Sequence, residues 1–238
     1  MWNGKKKAVT FSFDDGVRQD FRTIEILNKY GLKGTFNLNS GALGVVQSVD
    51  FNGKPICRDK VQPEEVKSLY AGHEVAVHTV LHPNLTELTE NAIVWQVEED
   101  RKLLESLVGY NIVGMAYPCG GVNNDDRVAN VLKRRTKIRY ARTITSSFSF
   151  DEQDNLLRFN PSACVTRETE ALAILEKFLR MDSDKPQLLY VWGHSYEFDM
   201  MPNGWAFFED FCCKIANREE MYYGTNKDVL LMVDENNA

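Results

Sequence analysis

Two short stretches bring together the residue types used by hydrolytic metal sites. Phe13-Asp14-Asp15-Gly16 sets two carboxylates side by side, and His78-Thr79-Val80-Leu81-His82-Pro83 sets two imidazoles four apart. The chain has only 4 histidines, so half of them fall in this one segment. Imidazoles at that spacing can meet one cation if the segment makes about one helical turn. Pro83 disfavours α geometry at His82, so a loop or a single turn is expected there. Two neutral imidazoles and one carboxylate make the three-ligand set of catalytic zinc, with a position left for water. Mixed nitrogen and oxygen donors also suit cobalt, nickel, manganese or iron. A second carboxylate beside such a set could act as a general base on water. The plainer readings are a solvated Asp-Asp-Gly turn and one buried plus one surface histidine. The occurrence of both clusters in one chain favours the metal reading.

Two further segments fit the same chemistry. Val191-Trp192-Gly193-His194 closes an apolar run with a histidine that could hand a proton to a leaving group, or simply bond a neighbouring loop. Ala116-Tyr117-Pro118-Cys119-Gly120-Gly121 reads as a strand end and a sharp turn. Its N–H groups could bind an oxyanion, or the turn could be structural only. Cys119 is a poor candidate nucleophile because no histidine lies near it in sequence. His73 sits at the C-terminal end of a helix, where the helix dipole favours a cation.

These segments need a scaffold that gathers strand ends. Strands are expected at 8–13, 33–38, 74–77, 112–117, 138–144, 188–193 and 228–233, with helix-period patterns between them. Phe21, Ile24 and Leu27 mark a helix stopped by Gly31, and Pro63 opens another that ends at Gly72. Residues 90–108 carry Ile93, Val97, Leu104 and Leu107 on one stripe, with Glu98, Glu99 and Asp100 on other faces. Thr166 is expected to cap a helix running to Leu179. Trp205, Phe208, Cys212 and Ile215 line a last helical face. Alternating strands and helices imply a mostly parallel sheet or barrel, with the chemistry in loops at the carboxyl ends of strands.

Composition removes several classes. At 43% hydrophobic and 26% charged, the chain is neither collagen-like nor disordered. A net charge of −6 supplies no global positive field for nucleic acid or anionic lipid, so neither partner is expected. No apolar run approaches the roughly 18 residues of a membrane helix, and residues 1–7 do not open a secretory signal. Cys57, Cys119, Cys164, Cys212 and Cys213 form neither a disulfide framework nor a paired metal knuckle. A cytoplasmic, reducing location is therefore expected. No repeat, low-complexity tract or linker divides the sequence, which reads as one domain over residues 1–238.

Taken together, the segments from Thr10 to about Leu231 resemble the polysaccharide (NodB-type) deacetylases of carbohydrate esterase family 4. The stretch TFSFDDG is similar to that family's first motif, which implies Asp14 as catalytic base and Asp15 as metal ligand. GHEVAVHTVLHP is similar to its second motif, which implies His78 and His82 as further ligands of one divalent ion, zinc first among the candidates. His194 resembles the last motif, which implies the general acid. The fold implied is a distorted, partly open (β/α) barrel of about seven strands. The third motif departs from the family: Arg-x-Pro-Tyr is replaced by Ala116-Tyr117-Pro118-Cys119. The implied oxyanion donor then falls on the Cys119 N–H, which any non-proline residue keeps. Arg142 is a candidate for the missing guanidinium. The family's Asp-Trp motif, which orients the histidine, has no match here, and Glu197 is the nearest carboxylate in sequence. The resemblance implies hydrolysis of a sugar acetamido group to acetate and an amine. Trp192, Tyr196, Trp205 and Tyr117 are candidates to flank the sugar ring. An O-acetyl esterase, a hydrolase of another linear or cyclic amide, and a non-catalytic carbohydrate-binding relic that keeps the metal are the alternatives.

Overall fold

The computed structural model describes residues 2–231. In chain order the regular elements are β1 (Lys7–Asp14), α1 (Asp20–Lys29), β2 (Gly34–Leu38), β3 (Ser48–Phe51), β4 (Lys54–Cys57), α2 (Val66–Leu69), β5 (Glu74–Val77), α3 (Glu90–Val108), β6 (Gly114–Ala116), α4 (Asp126–Arg135), β7 (Tyr140–Arg142), β8 (Ala163–Cys164), α5 (Glu168–Arg180), β9 (Gln187–Gly193), α6 (Gly204–Ile215), β10 (Met221–Tyr223) and α7 (Asn226–Leu231).

Side chains alternate across a strand, and in β1 that alternation separates packing from chemistry. Val9, Phe11 and Phe13 join the large apolar cluster between sheet and helices. Phe13 stacks on Phe36 of β2 at 5.8 Å and meets Phe208 of α6 edge-on at 5.7 Å. Thr10, Ser12 and Asp14 are equally buried on the opposite side. There the Thr10 hydroxyl donates to Asn226 at the start of α7, and Asn37 Nδ2 donates to Ser12. Deeper still, Thr35 and Tyr140 both donate to Glu74. These contacts satisfy most of the polar groups buried inside the curl, as burial demands, although Asn37 Oδ1 and Tyr190 Oη have no partner there.

The sheet runs β7-β6-β5-β2-β1-β9-β8 with every pairing parallel. β10 lies off this path beside the first residues of β1, Lys7–Val9, where β2 has not yet begun to pair. The result is an open, strongly curled half-barrel. β7 and β8 are the two ends of this path, and β7 is bridged at Arg142 to Phe159, in the segment that leads to β8.

Two expectations are corrected, and two elements lie outside the sequence reading. The apolar run at 228–233 was expected as a strand, yet residues 226–231 form α7, and the last two positions lie outside the described residues. Thr225 and Asp228 exchange hydrogen bonds across the start of α7, and this local capping outweighs the β-preference of the run. The final strand is instead the three-residue β10. Thr166 does not cap α5, which Arg167 precedes, because its hydroxyl is used elsewhere. The β3–β4 hairpin and the two-residue β8 were not expected. The hairpin turns at Asn52-Gly53, both left-handed, which is the turn chemistry that favours a tight hairpin. Among the described residues no helix is long and apolar enough to cross a membrane.

Candidate active site

The loops after β1, β5, β6 and β9 meet at one end of the half-barrel and enclose a cleft of about 180 Å³ lined by Asp14, Asp15, His78, His82, Cys119 and His194, among others. All six predicted site residues are thus brought together. The cleft is small beside the roughly 300 Å³ lower bound for drug-sized pockets, so it suits a reacting group more than a whole ligand.

Asp14 is the last residue of β1 and points inward by strand alternation. Asp15 would point away, but its φ of +82° turns the chain and Gly16 continues the turn at +60°. Thr79, His82 and Cys119 also hold positive φ, at +70°, +57° and +70°. A non-glycine residue pays for that conformation, and such positions cluster where a site fixes its geometry.

Asp14 is held by two donors. Arg142, at the end of β7, reaches it through Nη2, 2.5 Å from Oδ1 and bonded to Oδ2 as well, while Asn37 Nδ2 donates at 2.8 Å. The guanidinium is fully buried, bonds Thr143 O and Ser12, and lies 4.5 Å from the Trp192 ring centre. Burial alone would push the Asp14 carboxyl up, but Arg142 and the histidines outweigh it and hold the group below its ordinary range. Arg142, the candidate for the guanidinium absent from the third motif, thus does donate to Asp14.

The donor set Asp15, His78 and His82 fits a divalent cation. His78 Nδ1 lies 2.9 Å from Ala116 O. A carbonyl only accepts, so Nδ1 carries the proton and Nε2 keeps its lone pair. That Nε2 is 3.9 Å from Asp15 Oδ1, and His82 Nε2 is 3.6 Å from the same oxygen. All three ligand atoms lie within 4.8 Å of one another, and a small inward shift of the side chains would bring them to the roughly 3.4 Å separation that bonds of about 2.0–2.2 Å to one tetrahedral ion require. Burial lowers the His78 pKa to about 4, which leaves the ring neutral as a ligand must be.

His194 follows β9 and faces the cleft from the opposite wall. Its Nδ1 sits 3.2 Å from Glu197 Oε2, and that carboxylate is fixed by the Thr166 hydroxyl at 2.8 Å. Burial would lower the His194 pKa, but Glu197, Asp14 and Asp15 outweigh it and raise it. Glu197 thus stands where the missing orienting carboxylate was sought. Asn123 Nδ2 ties the carbonyls of Tyr117, Pro118 and Cys119 together and fixes that turn. The Cys119 Sγ is 3.8 Å from His82 Nδ1, a neighbour that sequence distance concealed, although burial raises its pKa and works against a thiolate.

Tyr117, Trp192 and Tyr196 line the cleft, whereas Trp205 does not. Its ring packs on Phe198 at 5.0 Å and its Nε1 donates to Asp199. His73 is also corrected. It is buried, Nδ1 accepts from Gly34 N, and desolvation takes its pKa down to about 4, the opposite of a dipole-stabilised cation. Three contributors escaped the sequence reading. Asp100, placed there among the off-stripe acids of its helix, is fully buried and accepts from the N–H groups of Ser40 and His78. Arg58 Nη2 donates to Asp15 Oδ2 at 2.6 Å, and Lys60 Nζ donates to Asp15 O at 2.7 Å. The signal for this pair was the alternation Arg58-Asp59-Lys60 after an Asn-Gly turn, which puts both cations on one side of an extended segment.

The polysaccharide deacetylase family model matches residues 2–136. The chain belongs to the polysaccharide deacetylase family. Its relatives include the Bacillus subtilis protein YxkH, 24% identical over 59% of this chain and 45% of that protein. Peptidoglycan-N-acetylmuramic acid deacetylase PdaC of the same organism is 27% identical over 51% of this chain and 23% of its own. The chain thus spans less than half the length of either relative. Solved structures share the deacetylase fold. A Mycobacterium smegmatis protein superposes with a TM-score of 0.67 at 15% identity, covering 98% of this chain and 92% of that one. A mutant of BA3943 from Bacillus anthracis, a family 4 pseudoenzyme with restored activity, gives 0.60 at 17% identity over 95% of this chain and 68% of that one.

Proposed function

We propose that this chain hydrolyses the acetamido group of an N-acetylated sugar with the help of one divalent cation, zinc by preference. The observation that carries the reading is the convergence of Asp15, His78 and His82 within 4.8 Å, beside a carboxylate held separately by Arg142. A cation bound by those three residues supplies Lewis-acid polarisation of the amide carbonyl and of water. Asp14, ionised and fixed by Arg142 and Asn37, accepts the proton that water loses as its oxygen bonds the carbonyl carbon. The Cys119 N–H is the candidate donor to the oxyanion that develops. His194, whose pKa Glu197 raises, gives its proton to the nitrogen as the carbon–nitrogen bond breaks, releasing acetate and the amine. Tyr117, Trp192 and Tyr196 offer faces and edges against which a sugar ring can lie.

The family and its PdaC relative, named for N-acetylmuramic acid, support a sugar amide over other amides or O-acetyl esters. A non-catalytic role gains only from the altered third motif, and Arg142 supplies the charge that the motif lost. The decisive experiment follows acetate release from N-acetylated sugars before and after chelation and zinc return. Activity unaffected by complete metal removal would sink the metal mechanism, and acetate only from O-acetylated substrates would replace the amide reading with the esterase one.

A further inference from the structure

Asp20, the first residue of α1, is a buried carboxylate that the chemistry proposed above leaves unused. Both of its oxygens are taken by hydroxyls. Oδ1 accepts from Ser195 at 2.5 Å, and Oδ2 accepts from Tyr70 at 2.8 Å. Ser195 Oγ accepts in turn from Thr23, one turn further along α1, at 2.9 Å. All four side chains are buried. Burial pushes the Asp20 carboxyl up to about 7, so an acid here is costly to keep. Fully buried hydrogen-bond networks of this kind hold one arrangement of the chain against others.

The arrangement held here is that of the residue next to His194. Ser195 is tied to the first turn of α1 by two side chains three apart on one helix face. That turn runs on directly from the turn at Asp15. Asp20 N donates to Val17 O at 2.9 Å, and Val17 is bridged to Lys60, which donates to Asp15 O. A short run of buried contacts therefore joins the wall that carries His194 to the wall that carries Asp15. Glu197 orients the imidazole, while the Ser195 anchor sets where its backbone stands.

We propose that Asp20 is a positioning residue for the general acid: through Ser195 it holds His194 at a fixed distance from the Asp15, His78 and His82 cluster. The role given to His194 rests on the deacetylase reading. Misplacing a reacting group by about 1 Å can cost on the order of 10²-fold in rate, so an anchor remote from the cleft can matter to turnover.

The test uses Asp20→Ala, Asp20→Asn, Ser195→Ala and the double variant Asp20→Ala/Ser195→Ala, each zinc-loaded and assayed for zinc content and thermal unfolding. Asparagine can accept from Ser195 and donate to Tyr70 Oη, so it keeps both connections without the charge. On an N-acetylglucosamine oligomer, Asp20→Ala should lower kcat about 10- to 100-fold with KM within about twofold, and Asp20→Asn should recover most of the loss. On 4-nitrophenyl acetate, whose leaving group departs without a proton, Asp20→Ala should stay within about twofold of wild type. The double variant should be no slower than the slower single one, because both changes break one contact. Unchanged kcat on the amide, equal losses on both substrates, or losses that multiply in the double variant overturn the proposal. Ser195→Ala, which removes only a hydroxyl, carries the same comparison where Asp20→Ala does not fold. With only 4 histidines in the chain, the His194 ring can also be followed by nitrogen NMR without turnover. Its signals should shift and broaden in Asp20→Ala and return in Asp20→Asn. A shift without acetate release by the wild type removes the deacetylase reading and keeps the anchor, whereas turnover with unmoved signals overturns the anchor alone.

Discussion

Arg142 and Asp14 stand 128 residues apart in sequence, yet a single guanidinium nitrogen of Arg142 donates to both oxygens of the Asp14 carboxylate. Both side chains are buried, so neither charge has water to fall back on. The contact joins the end of β7 to the end of β1 across the inside of the half-barrel and sets the orientation of the proposed base.

Replacing Arg142 by Met should therefore cost on the order of 3 kcal/mol of stability, since it strands a buried carboxylate. It should also let the Asp14 pKa rise, because the arginine is what holds it down. A base must be deprotonated to work, so the acidic limb of the kcat/KM profile should move to higher pH, with Arg142→Lys in between. Denaturant titration and the pH profile check the two halves. An unmoved limb would mean that Arg142 supports the fold alone.

Metal content should separate ligands from base. Asp15→Ala and His78→Ala should purify with well under one zinc per chain by atomic absorption, even after incubation with excess ion. Asp14→Asn should keep its zinc and lose about 10²- to 10⁴-fold in turnover, the range for general acid–base groups. Full zinc occupancy in Asp15→Ala would remove it from the ligand set.

On the other wall, Glu197 raises the His194 pKa. Glu197→Gln should lower the His194 pKa, since the carboxylate is the leading influence that raises it. An acid catalyst fails as pH rises through its pKa, so the basic limb of the profile should shift to lower pH. Thr166→Val should produce a smaller shift in the same direction by loosening Glu197. A basic limb that stays in place in Glu197→Gln would assign that limb to another group.

Stability should carry a separate signature from His73. Its folded pKa of about 4 lies below the ordinary 6.5, so the unfolded chain takes up the proton first as pH falls. The contribution is whole above pH 6.5 and is lost on the way down to about 4, on the order of 3 kcal/mol in all. His73→Asn can retain the acceptor toward Gly34 N while removing the titration. Its stability, measured by urea unfolding, should fall less steeply than wild type across that window. Asp20, pushed up to about 7 by burial, titrates with the opposite sign, so the comparison between variants is the informative one. Parallel slopes would place the acid sensitivity elsewhere.

The sequence carried the site's front row and missed most of its support. Asp14, Asp15, His78, His82 and His194 were legible because rare residue types fall at strand ends. Glu197 could be named because it is three residues from its histidine. Arg58, Lys60 and Asp100 were not, since each acts across a fold-made contact: Asp100 reaches a loop 22 residues back to bond the His78 N–H. The strand pattern succeeded wherever apolar runs were buried on both sides. It failed at 228–231, where a short capped helix presents the same residues, and at β8, whose two residues leave no period to detect. Trp205 was misjudged for the reason aromatics often are: its helical spacing is the same whether it faces a sugar or Phe198.

The β3–β4 hairpin is inserted between β2 and α2 and contributes no strand to the main sheet. The stretch that follows it lays Arg58 and Lys60 against Asp15, which belongs to the loop that closes β1. A segment outside the sheet thus braces one of the proposed ligands from behind. Trimming this insertion should slacken that brace and weaken metal retention before it disturbs the strands.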